Sequence, residues 1–168
     1  MHSAFLPVLL CLPFLAQAAP VATTEVRFSH PENYTDAHLE RDYGRGASKF
    51  VLQELREHIE QLGERHLLPG QQLRVEVQDI DLAGRFEPWH VTAQHVRFMR
   101  EITWPRIELH YTLEKDGQVQ VSRDAVLRDQ DYLRHTNRYT SSDRLRYEKA
   151  MLADWFRREI GGSEQSSR

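Results

Sequence analysis

The apolar residues of this chain change their period once, within a single stretch, and that change dictates a layered fold. Val51, Leu55, Ile59 and Leu62, with His66 after them, recur at steps of four, four, three and four, one stripe of a helix over residues 47–68. Pro69-Gly70 stops that helix. Leu73, Val75 and Val77 then alternate with Arg74 and Glu76, the period of a half-buried strand. A one-sided helix followed by a one-sided strand must bury the two apolar sides against each other. The alternation slips by one at Ile80 and Leu82, which predicts a β-bulge near Gln78-Asp79.

The flanking segments extend the pattern. Glu25 to Ser29 alternates and reads as a first strand; His30 to Asp36 follows as a turn, and Gly44-Arg45-Gly46 as a flexible joint. Residues 83–89 read as an aromatic loop and Val96 to Met99 as a short strand. Ile107, Leu109, Tyr111 and Leu113 alternate cleanly, Lys115-Asp116-Gly117 turns the chain, and Val119 and Val121 return it. Residues 128–142 read as an extended loop. Ser141 or Ser142 is expected to cap a last helix that buries Leu145, Leu152, Trp155, Phe156 and Ile160 and ends at Gly161. The first strand, helix and second strand form one right-handed crossover, hence a parallel pair. The fold class expected is α+β: a single domain with a small mixed four-stranded sheet covered on one face by two helices.

The N-terminus says where such a domain works. Residues 5–15 are an uncharged apolar run, and Ala16-Gln17-Ala18 is a small-x-small cleavage sequence. That pattern is a secretory signal peptide over residues 1–18, too short to span a bilayer permanently, although Met1-His2-Ser3 lacks the usual positive charge. The expected division is a signal at 1–18, the domain at 19–160 and a disordered polar tail at 161–168, with the mature protein in the periplasm. Removing 18 of 168 residues leaves 150, enough for a core. Cys11 leaves with the signal, so no disulfide staples the domain. The net charge of −3 argues against nucleic acid, and no transmembrane segment is read in the mature chain.

Several residues are candidates for chemistry. Asp79 and Asp81, at i and i+2 on a strand, share a face; two adjacent carboxylates repel and raise one pKa, as an acid/base pair requires. Read instead as a calcium loop, the stretch has Gly84 in place, but Ala83 occupies a ligand position and His90 stands where the closing glutamate belongs. None of the eight mature histidines makes a ligand pair at i, i+4 on a helix or i, i+2 on a strand, so neither a metal nor a cofactor is expected. No G-x-S-x-G elbow and no glycine-rich phosphate loop is present. Phe86, Trp89 and Trp104 cluster about two loops, and Arg134 and Arg138 lie in a tyrosine- and arginine-rich segment; these residue types dominate interface hot spots.

Val26-x-Phe28, Pro31-Glu32-x-Tyr34-Thr35-Asp36, residues 79–84, Phe86-Glu87-Pro88, Trp104-Pro105-Arg106-Ile107, residues 146–149 and Trp155-Phe156 stand in an order and spacing found elsewhere. Together they resemble the secreted proteobacterial domain-of-unknown-function family 3016. The resemblance spans nearly the whole mature chain. It implies an exported bacterial protein and assigns no activity or catalytic residue.

The function expected is a non-catalytic periplasmic module that binds an envelope protein or a small ligand through Phe86, Trp89, Trp104, Arg134 and Arg138. The alternatives are a metal-dependent or carboxylate-based hydrolase at Asp79 and Asp81, with His90 or His95, and a structural envelope protein that pairs with itself. The signal reading has a direct check. Intact mass of the protein recovered from periplasm should start at Ala19, and a species retaining Met1 would refute cleavage.

Overall fold

A computed structural model describes residues 21–40 and 46–161. The expected signal peptide with Cys11, Gly44 and Arg45 of the joint, and the tail beyond Gly161 lie outside the described residues. The elements are β1 (Thr23–Phe28), a 3-10 turn (Pro31–Asn33), α1 (Lys49–His66), β2 (Gln71–Asp81), β3 (Arg85–Phe86), β4 (Arg97–Phe98), β5 (Arg106–Lys115), β6 (Gln118–Arg128) and α2 (Arg146–Glu159). One mixed sheet has the order β1-β2-β5-β6; β1 and β2 are parallel, the other pairs antiparallel. A second sheet of only β3 and β4 stands beside it. This is an α+β single domain.

Both helices lie on one face of the large sheet. Leu73, Val75 and Val77 of β2 and Leu109, Tyr111 and Leu113 of β5 are all at or below 1% exposed, in one core with Val51, Leu55 and Ile59 of α1 and Leu152, Trp155 and Phe156 of α2. The opposite face is a polar ladder: Arg74 pairs with Glu114, the Thr112 and Ser122 hydroxyls meet at 3.0 Å, and His110 meets Asp124 at 2.8 Å. The bulge falls at Gln78, between the pairs Val77–Leu109 and Asp79–Glu108. One extra residue returns Ile80 to the core and sends Asp79 and Asp81 to the open side.

Two local expectations change. Asp143, instead of Ser141 or Ser142, prepares α2: its Oδ1 accepts the Leu145 N–H at 2.8 Å, and the helix starts at Arg146. The segment read as an aromatic loop includes β3, which pairs with β4. Asp116 and Gly117 both have positive φ (50° and 78°), the two-residue turn that suits a right-twisted hairpin.

His58 ties the helices together. It is 6% exposed on α1, with Nε2 3.1 Å from the Lys149 carbonyl and 3.2 Å from the Tyr139 hydroxyl. Burial, above all, pushes its pKa down to about 4. An unfolded histidine titrates near 6.5, so the unfolded chain takes up the proton first as the pH falls. The stability from neutral His58 is full above about pH 6.5 and is lost between there and about pH 4. Urea unfolding should show this group alone removing about 2 kcal/mol between pH 7 and pH 5. The His58→Gln protein should lack that part; equal pH dependence of the two proteins would show an ordinary imidazole.

Candidate functional site

The chain between β2 and β5 leaves the sheet for more than twenty residues and returns at Arg106. Its base is pinned through buried backbone. Leu82 donates its N–H to the Asp36 carbonyl at 2.9 Å, and Ala83 donates its N–H to Glu148 Oε1 at 2.7 Å. The Arg97 side chain, 8% exposed, donates to the carbonyls of Ala83 (2.7 Å), Leu82 (3.1 Å) and His38 (3.0 Å) and to the Asp36 carboxylate (2.7 Å). Gly84 has φ +78°, and a Cβ there would sit 2.7 Å from the Phe98 carbonyl; only glycine lets β3 close on β4. Glu148 is fully buried, and that burial raises its pKa.

A second network stiffens the middle of the excursion. Glu87, 5% exposed, accepts from Arg100 Nη2 at 2.8 Å and from His90 Nε2 at 3.0 Å, and Arg100 Nε donates to its other oxygen at 2.5 Å. The Arg100 bond holds the Glu87 pKa below the ordinary carboxylate range. His90 stacks on Phe98 at 4.7 Å, and the Arg97 guanidinium lies 5.3 Å from the Phe86 ring centroid. From this frame Trp89 projects 71% exposed, with Val91 at 79% and Ile102 at 77%.

The five residues expected to bind are distributed unevenly. Phe86 is half-buried under Arg97, Trp89 is exposed, and Trp104 is half-buried just before β5. Arg134 reaches the excursion through Glu101 at 3.2 Å. Arg138 instead pairs with Asp154 of α2 at 3.3 Å and lines a separate cleft of about 230 Å³ with His135, whose pKa Asp129 raises.

Asp79 and Asp81 stand on the open face beneath the excursion. Asp79 accepts the Thr35 N–H at 2.7 Å and the Thr35 hydroxyl at 2.8 Å, and lies 3.4 Å from Arg106. Asp81 takes Arg85 at 2.6 Å; Arg85 also reaches Asp36 at 3.3 Å. The Asp81 pKa is raised, chiefly by burial, against the lowering effect of Arg85. Arginines thus alternate with the carboxylates. Among the described residues no three His, Cys, Asp or Glu side chains are grouped to hold a metal ion, and no helix is long and apolar enough to cross a membrane. Asp36 and Glu148 enter the sequence reading only as members of the family motifs, and nothing in it singles out Arg97 or Arg100; a charged residue inside an aromatic stretch is the one signal available for those two.

Fold and surface together define an α+β domain that presents exposed side chains from a pinned excursion. The chain belongs to the family described as Protein of unknown function (DUF3016), whose pattern matches residues 22–158. No curated protein matches it. A crystal structure, protein XCC0632 from Xanthomonas campestris of the DUF330 family, aligns at 13% identity over 96% of this chain and 97% of that one, with a TM-score of 0.41; nothing about this chain follows from that likeness.

Removing Arg97 takes the donor from the Ala83 and His38 carbonyls and leaves Asp36 and the Leu82 carbonyl to Arg85 alone. Arg97→Ala should cost roughly 3–5 kcal/mol in urea unfolding. It should also expose residues 82–105 to limited proteolysis under native conditions. An unchanged midpoint and cleavage pattern would show that the excursion is held by other contacts.

Proposed function

We propose that this protein is an exported, non-catalytic binding module of the bacterial periplasm, released from its signal peptide after Ala18. Its binding surface is the excursion between β2 and β5. The exposure of Trp89 carries this reading: a large aromatic side chain stands 71% exposed on a base fixed by ion pairs. Exposed apolar groups on a rigid frame favour association, because little conformational freedom is lost on binding. Arg134 joins the surface through Glu101, and Phe86 and Trp104 of the same excursion are half-buried. The partner class is an envelope protein or a small ligand, with no cofactor.

The competing reading, a hydrolase at Asp79 and Asp81, has the raised Asp81 pKa in its favour. Against it, Thr35 occupies both oxygens of Asp79, and Arg85 holds Asp81. These contacts give both carboxylates a structural part: Asp79 ties the Thr35 turn to β2, and Asp81 pairs with the arginine that starts β3.

A photocrosslinking residue at position 89, in cells, tests the binding reading. One defined product should form from position 89 and none from position 57, exposed on α1. Trp89→Ala should keep its stability within about 0.5 kcal/mol and lose that partner. Equal products from both positions, or a Trp89→Ala protein several kcal/mol less stable, would overturn it.

A further inference from the structure

The two edges of the large sheet are finished differently. At one edge β1 is six residues long and lies against α1, where Arg56 donates to the Val26 carbonyl and stacks over Phe28. At the other edge β6 runs for eleven residues, and among the described residues nothing pairs with its outer side. An unpaired edge of that length is a template for another strand. Beside it, between β6 and the end of α2, lies a cleft of about 340 Å³. Ala125 and Leu127 of β6 and Trp155 of α2 contribute apolar wall. The Trp155 indole N–H is the buried side-chain polar atom that has no hydrogen-bond partner among the described residues.

Charge selects the occupant. Three charged side chains on this cleft are already matched: Arg123 and Glu159 to each other, and Asp124 to His110 on the open face, while Glu159 also takes the Tyr111 hydroxyl at 3.2 Å. Arg128 and Arg158 line the same cleft and have no ion-pair partner among the described residues. We propose that this edge binds an acidic peptide segment in extended form, which adds to β6 as a fifth strand. Its backbone pairs with β6, its carboxylates at alternate positions meet Arg128 on the open face, and the apolar side chains between them enter the cleft beside Trp155, with Arg158 adding positive charge at the rim of that cleft. A second copy of this chain fits less well. Two-fold pairing about the middle of β6 sets Arg123 against Arg123 or Asp124 against Asp124, and like charges directly opposite each other destabilise a sheet. This surface is separate from the excursion, so the proposal stands whatever the excursion binds.

The test uses residues 19–168 and a fluorescent eight-residue peptide of alternating valine and glutamate. Anisotropy should rise with protein, and amide exchange should slow within residues 118–128. The alternating valine–lysine peptide should not bind, nor should the acidic peptide with alternate amides N-methylated. Arg128→Glu with Arg158→Glu should weaken binding about tenfold or more while leaving the melting temperature unchanged, because both side chains are exposed and make no ion pair among the described residues. No rise in anisotropy at roughly millimolar protein, equal binding of the basic peptide, or full binding by the charge-reversed protein would overturn the proposal. So would light scattering that shows a dimer protected over residues 118–128, since a second copy would then hold the edge.

Discussion

The join at Leu82–Gly84 depends on the Arg97 guanidinium, with Arg85 beside it on the Leu82 and Gly84 carbonyls. Where β2 ends, the chain leaves the sheet while still buried, and buried backbone groups must find partners. Arg97 takes the carbonyls of Leu82 and Ala83, Glu148 takes the Ala83 N–H, and the Asp36 carbonyl takes the Leu82 N–H. Three segments far apart in sequence are therefore held at one point: the turn after β1, the start of the excursion and the first turn of α2. A buried guanidinium and a buried carboxylate are costly to desolvate, and they persist because each is hydrogen-bonded. The same join accounts for the motif residues that stand together here. Tyr34 donates to the Val77 carbonyl, Thr35 to Asp79, and the Asp36 N–H to the Ile80 carbonyl, so residues 34–36 run along β2 like a continuation of β1.

The sheet was legible wherever one face is buried and the other wet. Leu73, Val75 and Val77 showed β2, the slip at Ile80 showed its bulge, and Ile107 to Leu113 showed β5. Beyond Val121, β6 was not legible, because Ser122, Arg123 and Asp124 are exposed and carry no apolar alternation. Its pairing follows from β5 and the Asp116-Gly117 turn, not from its own pattern. Strands of two residues, such as β3 and β4, are too short to show any period. Ser141, Ser142 and Asp143 are all competent caps; the burial of Leu145 decides among them by fixing where the backbone can turn.

The site was legible as composition and illegible as structure. An aromatic-rich stretch identified the region of the excursion, yet the rings take their positions from charged partners: Arg97 over Phe86, and Glu87 with Arg100 around His90 and Phe98. Asp36 and Arg97 are 61 residues apart, and Ala83 and Glu148 are 65 apart. No local spacing signals contacts of that range. The five residues grouped by type therefore separate by exposure and place, with Trp89 exposed, Phe86 and Trp104 half-buried, and Arg138 at another cleft.

The arrangement of apolar side chains bears on why such a frame exists. Covering the exposed part of Trp89 would gain roughly 3 kcal/mol of hydrophobic free energy, and Val91 and Ile102 stand exposed on the same excursion. A flexible loop of this composition would fold its rings onto the nearest core surface. Here that collapse is blocked, because Glu87, Arg97 and Arg100 fix the backbone on either side and Gly84 sets its direction of departure. Ion pairs thus hold the indole in water, and the free energy of covering it remains available to a binding partner. The same logic separates the two sheet edges: Arg56 ties β1 to its own helix, whereas among the described residues β6 has no strand on its outer side and Arg128 and Arg158 beside it have no ion-pair partner.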